Sequence, residues 1–358
     1  MPDTPSHTLA EILGQPQAWA DALDLAETHA GAIRALLGSH RASPSVITAC
    51  GSPYYLALSV APLLRHATSH PWLAVPASEL VLHPDLHLPP NGAPLLLAFS
   101  RSGETSETIA AARAVRRRGG AILAVGCDAA STLLREADAA IAIAAGREQS
   151  VVQTRSFSAM LVAAQAIAAL ASGSIAAGMG LDRLPAVGAT LIGRAQRAIA
   201  PETPLGNLAR DPAIERVFVL GSGTRYGLAC EVALKFKEMA LTTAEAFHTL
   251  EFRHGPMALA DQHALVLGLL AETGGDAELA VLRHVRNLGA RVAAVGEQVP
   301  DDELDAGFSF GSGMPEAARD ALYLPPMQLM VHERAVARGL NVDAPRNLSA
   351  FVMLDGLT

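Results

Sequence analysis

The stretch that decides the fold is LLLAFSRSGETSETIAAARAVRRRGGAILAVG, positions 95–126. Its first five residues are an apolar run of strand length that ends at turn-forming residues. A stretch of helical length follows from Ser106 to Arg118, and the run Ala124 to Gly126 again has the character of a buried strand. Strand, helix and strand in this order predict two parallel strands of an α/β sheet.

The same pattern occurs again 170 residues further along the chain. Three short apolar runs, each bounded by turn residues, recur in the same order, and a duplicated domain is the economical explanation. The pairs are Val46 to Cys50 with Val217 to Leu220, Leu95 to Leu97 with Leu265 to Leu267, and Ala124 to Gly126 with Ala294 to Gly296. We therefore expect two doubly wound α/β halves, each a parallel sheet flanked by helices, with ligand-binding loops after the carboxyl ends of the strands.

The boundary between the halves is predicted from punctuating residues. An Ala-rich stretch from Ser156 to Ala171 predicts a long helix, and glycines and prolines cluster after it. We place a linker region there, at 176–205. The predicted organisation is a helical segment at 1–40, a first domain at 41–175, this linker, a second domain at 206–342 and a tail at 343–358.

Composition and charge exclude several classes of function. The 358 residues carry a formal net charge of −8 and only 4% are aromatic, so there is neither a basic field for nucleic acid nor a platform for stacked bases. The three cysteines form no CxxC pair, which indicates a reducing compartment. Since no signal peptide or bilayer-spanning segment can be recognised, we expect a soluble, cytoplasmic protein that binds neither nucleic acid nor membrane.

The loop after the strand at 95–99 has the composition of an anion cradle. Ser100, Ser102 and Thr105 offer hydroxyl groups, the glycine between them permits a close backbone approach, and the start of a helix offers N–H groups to phosphate oxygens. An ordinary helix N-cap cluster would have the same composition. Ser52 is a second candidate contact, whereas Arg101 could either pair with a phosphate or point to solvent.

Four residues of the second half could carry proton-transfer chemistry. Glu231, Lys235 and Glu238 are three and four residues apart, so on a helix they share one face with the lysine between two carboxylates. A surface ion-pair network would have the same spacing. His254 precedes a Gly-Pro turn, where a histidine can act in proton transfer near neutral pH or be a loop residue without a chemical role.

Together, these segments resemble a known family. Five segments are similar to the sugar isomerase (SIS) family: Ser-x-Ser-Gly-Glu-Thr at 100–105, Val151 to Phe157, ALKFKE at 233–238, FRHGPMAL at 252–259 and Asp343 to Leu348. Within this family they resemble the isomerase half of glucosamine-6-phosphate synthase and the SIS-type glucosamine-6-phosphate deaminases. The likeness extends from about residue 45 to the C-terminus, with the motifs in the family's order. It implies two tandem flavodoxin-like SIS domains and a C-terminal tail that closes the active site.

The resemblance also implies which residues bind the substrate. Ser100, Ser102 and Thr105 would hold the phosphate group of a sugar, with Ser52 nearby. The other substrate-binding positions that it implies are Arg101, Val151, Gln153, Glu231, Ser349 and Ala350.

Three residues are implied to act in catalysis. Glu238 would be the base that moves a proton between C1 and C2 of the open-chain sugar, with Lys235 beside it as an electrostatic partner. His254 would assist ring opening. In the family this histidine comes from the neighbouring subunit, which implies a homodimer.

The sequence departs from the family at several positions. It contains no glutaminase half, so we expect no internal source of ammonia from glutamine. Ala350 occupies the position of a lysine that forms a Schiff base with the ketose in the family, so this carbonyl-capturing amine is missing. Pro53 and Gln153 stand where the family has serines of the phosphate site.

These observations predict an enzyme that isomerises and deaminates glucosamine-6-phosphate, or a close amino sugar phosphate, to fructose-6-phosphate and ammonia. An aldose–ketose isomerase or deglycase acting on another phosphosugar is an alternative, and so is a phosphosugar sensor without turnover. No cofactor is predicted. No metal site is predicted either, because the histidine pairs at 66 and 70 and at 83 and 87 lack an evident third ligand.

Overall fold

A computed structural model describes residues 6–40, 45–89, 92–173, 179–300 and 302–349. The strands in this described part are β1 (Ser45–Ala49), β2 (Trp72–Pro76), β3 (Leu95–Ser100), β4 (Ala121–Gly126), β5 (Ala139–Ala142), β6 (Arg216–Gly221), β7 (Thr243–Phe247), β8 (Ala264–Leu269), β9 (Arg291–Gly296) and β10 (Ala306–Ser309). The α-helices are α1 (His7–Leu13), α2 (Gln15–Thr28), α3 (Ala30–Ser39), α4 (Ser52–Thr68), α5 (Ala77–Leu82), α6 (Pro84–His87), α7 (Ser106–Arg117), α8 (Thr132–Glu136), α9 (Arg155–Ala171), α10 (Leu184–Ala198), α11 (Pro204–Arg210), α12 (Arg225–Glu238), α13 (Gly275–Asn287) and α14 (Leu324–Ala337).

The strands form two parallel five-stranded sheets of identical topology. Their orders are β2-β1-β3-β4-β5 and β7-β6-β8-β9-β10, which is the flavodoxin-like order in each case. Every residue of β1, β3, β4 and β8 is buried, as expected for strands covered on both faces by helices. The predicted fold class, two tandem flavodoxin-like α/β domains, is therefore confirmed, and the paired apolar runs occupy matching places in the two sheets.

The helices follow from the apolar pattern of the sequence. Helix α7 buries Ile109, Ala112 and Val115, which are three residues apart and so lie on one face. Helix α9 is buried along almost its whole length, and the Trp19 indole N–H on α2 donates a hydrogen bond to its Ser158 hydroxyl at 2.8 Å. None of the helices in the described ranges has the length and apolarity that a bilayer span needs.

The chain divides into two compact units. The first-sheet unit comprises residues 14–148, 153–185 and Ser349, and the second-sheet unit comprises 6–13, 149–152 and 186–348. Helix α10 lies within the predicted linker at 176–205. The domain boundaries drawn from the sequence stay predictions.

Three distant segments meet within the second-sheet unit. The Glu11 carboxylate accepts a hydrogen bond from Gln149 N at 2.5 Å, which joins α1 to the segment 149–152. The carboxylate of Asp343 accepts one from Thr8 N at 2.8 Å, and Val151 N donates to the backbone carbonyl of Asp343 at 3.1 Å. These bonds fix the start of the closing motif at 343–348.

Candidate active site

A small polar pocket lies at the carboxyl ends of β1 and β3, which are neighbours in the first sheet. The loop 100–105 leaves β3 at this edge, and α4 begins there with the buried Ser52. The cavity has a volume of about 20 Å³, room for little more than one water molecule. We call it the serine pocket; its lining residues are Cys50, Pro53, Phe99, Ser100, Arg101, Ser102, Thr105, Thr108 and Gln153.

Internal hydrogen bonds give the loop 100–105 a fixed shape. Gly103 N donates to Ser100 Oγ at 3.0 Å, and Glu104 N donates to Ser102 Oγ at 3.2 Å. Gly103 has φ +67°, and a Cβ there would lie 2.0 Å from Ser131 Oγ, so only glycine fits. Thr105 is the N-cap residue of α7, yet its side chain makes no capping hydrogen bond. Thr105 therefore does not cap α7, whereas the Ser100 and Ser102 hydroxyls accept from local backbone N–H groups, and the phosphate role of the loop stays a prediction.

Arg101 lies along the serine pocket rather than in solvent. Its side chain is only 10% exposed, and its Nη1 lies 3.4 Å from the Oε2 of Glu148, whose side chain is fully buried. The ion pair excludes the solvent-pointing orientation of this arginine, and its pairing with a phosphate stays a prediction. The guanidinium is the only cation among the described residues that line the pocket.

A thiol also lines the serine pocket without adding charge to it. Thr108 Oγ1 donates a hydrogen bond to Cys50 Sγ at 3.6 Å. Burial raises the pKa of Cys50 to about 11, so the thiol is neutral at neutral pH. An anion in this pocket therefore meets hydroxyl, amide and guanidinium donors rather than a thiolate.

The described residues that follow β8 do not repeat the serines of the loop 100–105. At the matching end of β8 the sequence is Leu270-Ala271-Glu272, where the first half has Ser100-Arg101-Ser102. An acidic side chain thus replaces a serine, and a leucine replaces the buried Ser100. In the described part of the duplicated chain, the phosphate-type loop is a feature of the first half.

Glu231, Lys235 and Glu238 come together on α12 in the second-sheet unit, as their spacing predicts. Lys235 Nζ lies 3.3 Å from a Glu231 carboxylate oxygen and 2.5 Å from a Glu238 oxygen. The side chains of Lys235 and Glu231 are 1% and 0% exposed, whereas that of Glu238 is 20% exposed. This glutamate–lysine cluster is therefore buried, unlike a surface ion-pair network.

Electrostatics keep the lysine of this cluster charged. Burial alone would lower the pKa of Lys235, but the carboxylates of Glu231 and Glu238 outweigh it and raise the pKa above its ordinary value. Glu238 thus combines contact with a permanent cation and partial access to solvent. Such a carboxylate can accept and return a proton next to a fixed positive charge.

Glu238 also borders a cavity of about 150 Å³. The closing motif supplies part of the cavity wall, with Ala344, Pro345 and Arg346. The remaining lining residues are Met239, Leu241, Leu340 and Asn341.

The other predicted site residues lie outside these two groups. His254 is exposed in the turn after the 3-10 helix Glu251–Arg253, and its side chain makes no hydrogen bond to another described residue. Val151 is held through its backbone in the segment 149–152, and Ser349 is exposed. Ala350 lies outside the described residues.

Glu148 and Asp320 are among the acids with buried side chains that the sequence did not indicate. Glu148 lies three residues before Val151, the first residue of the motif at 151–157, and this proximity was the one signal in the sequence. Asp320 is 2% exposed and accepts a hydrogen bond from Thr224 Oγ1 at 3.0 Å. Burial raises the pKa of Asp320 to about 6, and no pattern in the sequence marks it.

Comparison with known proteins gives consistent matches. A model of the SIS domain matches residues 41–170 and 213–301. A glutamine–fructose-6-phosphate aminotransferase from Streptomyces coelicolor is 30% identical over 98% of this chain and 59% of its own length. The corresponding protein from Symbiobacterium thermophilum is 34% identical over 73% of this chain and 44% of its own length. The chain thus spans about half the length of such relatives.

Solved structures share the fold across nearly the whole chain. Glucosamine-6-phosphate deaminase from Thermotoga maritima has a TM-score of 0.77 and 26% identity, covering 98% of this chain and 100% of its own. The C-terminal domain of the Francisella tularensis aminotransferase has a TM-score of 0.83 at 23% identity, covering 96% and 99%. Tagatose-6-phosphate ketose/aldose isomerase from Escherichia coli has a TM-score of 0.81 and 23% identity, covering 97% of this chain and 96% of its own. Since the family model matches both halves of the repeat and more than half of the residues, this chain belongs to the SIS domain family.

Proposed function

We propose that this chain is a phosphosugar isomerase that deaminates glucosamine-6-phosphate, or a close amino sugar phosphate, to fructose-6-phosphate and ammonia. The observation that carries the proposal is the contact of 2.5 Å between the partly exposed Glu238 and the buried Lys235. A sensor that only binds its ligand has no need of a base held in this way. An isomerase needs one base that serves two adjacent carbons.

The proposed reaction needs no amine donor other than the substrate. In the open-chain sugar, Glu238 removes the proton from C2 while the C1 carbonyl oxygen gains a proton, which leaves an enaminol. Glu238 returns the proton to C1, so that C1 becomes CH2OH. The C2 amino group releases one proton, which balances the proton gained by the C1 oxygen and leaves C2 as a ketimine. Water adds to C2, ammonia leaves, and the ketone of fructose-6-phosphate remains.

The serine pocket is proposed to hold the phosphate group. Its hydroxyls and the Arg101 guanidinium are donors suited to phosphate oxygens, and the glycine of the loop permits a close backbone approach. Ala350, in place of the family's Schiff-base lysine, fits a reaction in which the nitrogen arrives on the substrate. The Thermotoga deaminase supports this choice, because the two chains match over nearly their full lengths.

The test is an assay for ammonia and fructose-6-phosphate after incubation with glucosamine-6-phosphate. We expect both products from the unaltered chain, no products from Glu238→Gln, and normal turnover from Glu245→Gln, the same change at an exposed glutamate of the same unit. Interconversion of hexose phosphates without ammonia would indicate the plain isomerase. Saturable binding without turnover would indicate a sensor.

A further inference from the structure

The serine pocket contains a charge arrangement that phosphate binding alone does not explain. The only cation among its described lining residues, Arg101, lies 3.4 Å from the carboxylate of Glu148. The Glu148 side chain is fully buried. An internal anion therefore already faces the guanidinium that a phosphate would need.

Glu148 does not depend on Arg101 for its hydrogen bonds. Its Oε1 accepts hydrogen bonds from Thr154 N at 2.7 Å and from Thr154 Oγ1 at 2.9 Å, and the Ser156 hydroxyl donates to its Oε2. A buried carboxylate is costly when it lacks such partners. Three donors would remain if the guanidinium moved away, so its departure would not leave the carboxylate without partners.

The contact between Arg101 and Glu148 is also a loose one. Its 3.4 Å exceeds the roughly 2.7–2.9 Å of a strong charge-assisted hydrogen bond. A guanidinium has more donors than one carboxylate oxygen can accept, and its planar fork suits phosphate oxygens.

The enclosed part of the pocket is smaller than a phosphate group. Its volume of about 20 Å³ holds little more than a water molecule, which is less than a phosphoryl group occupies. Arg101 and Gln153 are the long polar side chains in the described lining. A movement of Arg101 that lengthens its contact with Glu148 would both open the pocket and direct the guanidinium at the ligand.

We propose that Glu148 is an internal counter-anion of the serine pocket. It holds Arg101 while the pocket is empty, and phosphate oxygens replace it when a sugar phosphate binds. Glu148 is thus a positioning residue that acts on phosphate affinity through Arg101. The inference rests on the proposed function, since it assumes that this pocket binds a phosphosugar.

The test is a double-mutant cycle on the full chain, with the Kd for inorganic phosphate measured by isothermal titration calorimetry. Glu148→Gln retains an oxygen that can accept from Thr154 but removes the competing charge, and we expect Kd to fall about three- to tenfold. Arg101→Met is expected to raise Kd at least about tenfold. In the Arg101→Met background, Glu148→Gln should change Kd by less than about twofold. Glu27→Gln, the same change at an exposed glutamate of the same unit, is the matched control and should leave Kd nearly unchanged.

The results separate this inference from the proposed function. An unchanged or raised Kd in Glu148→Gln would overturn the proposal that Glu148 is a counter-anion. An equal fall in Kd in the unaltered chain and in the Arg101→Met background would overturn it as well. If the unaltered chain binds neither inorganic phosphate nor glucosamine-6-phosphate, the proposed function itself fails.

A crystal structure of the unaltered chain with inorganic phosphate provides a test that does not require any variant to fold. We expect the Arg101 guanidinium within hydrogen-bond distance of the phosphate and its Nη1 more than about 4 Å from Glu148 Oε2. A phosphate bound by the serines, with Arg101 still on Glu148, would overturn the proposal.

Discussion

Replacing Lys235 by methionine removes the cation from the glutamate–lysine cluster and keeps a side chain of similar length. Glu231 has a fully buried side chain and would lose a cation at 3.3 Å. Removing one partner of a buried ion pair costs roughly 3–5 kcal/mol of unfolding free energy. Glu238 adds little to this cost, because its side chain is 20% exposed and can be hydrated. For a unit of this size the melting temperature should fall by roughly 10 °C.

The assay is thermal unfolding by scanning calorimetry, with two comparison variants. Lys235→Met combined with Glu231→Leu replaces the whole buried pair by apolar groups and should recover most of the loss, since such replacements are often neutral or stabilising. Arg283→Met breaks an exposed pair with Glu303 and should cost less than about 1 kcal/mol. The reasoning is refuted if Lys235→Met costs no more than Arg283→Met, or if the double variant is less stable than Lys235→Met alone.

Three further predictions concern the loop, a buried acid and the oligomer. Gly103→Ala should weaken phosphate binding at least about tenfold in calorimetry, because φ is +67° and a side chain clashes there; Gly119→Ala, with φ +75° and open space, should leave binding unchanged. Burial raises the pKa of Asp320 to about 6, so the folded chain holds this proton more tightly than the unfolded chain does. The contribution of this carboxyl group to the free energy of unfolding is therefore fully present below about pH 4. It is lost, by up to ~3 kcal/mol, as the pH rises through 6. Asp320→Asn should flatten this part of the stability–pH curve measured by urea unfolding, and an unchanged slope would contradict the assignment. The third prediction is that His254 acts in the active site of the partner subunit. Mixing and refolding inactive Glu238→Gln with inactive His254→Ala should then restore up to about a quarter of the activity, because half of the dimers are mixed and each mixed dimer has one intact site. No recovery would place both residues in one subunit.

The sequence was sufficient to predict the architecture because of how parallel strands are covered. A strand with helices on both faces needs apolar residues at every position, so β3 and β8 appear as continuous apolar runs. Their repetition after 170 residues indicated two similar sheets. The spacing of Glu231, Lys235 and Glu238 likewise predicted one helix face.

The burial of the glutamate–lysine cluster and the ion pair between Arg101 and Glu148 in the serine pocket could not be predicted from sequence. An ion-pair triplet has the same spacing on a surface helix and on a buried one, and burial here depends on how other elements pack on α12, α14 among them. Arg101 and Glu148 are 47 residues apart, and Thr224 and Asp320 are 96 apart. No helical or strand periodicity connects positions at such separations, so only the folded chain shows these pairs.

Divergence of the two halves explains why the proposed chemistry requires the whole chain. The first half has the serine loop after β3, and the second half has Leu270-Ala271-Glu272 at the matching place. Conversely, the positions 170 residues before Glu231, Lys235 and Glu238 are Ala61, Arg65 and Thr68, so α4 carries neither carboxylate. The serine loop thus follows a strand of the first sheet, whereas Glu238 ends a helix of the second-sheet unit, and neither feature is repeated in the other half. On the proposed assignment, removal of either half should abolish turnover, and removal of the second half alone should leave phosphate binding intact.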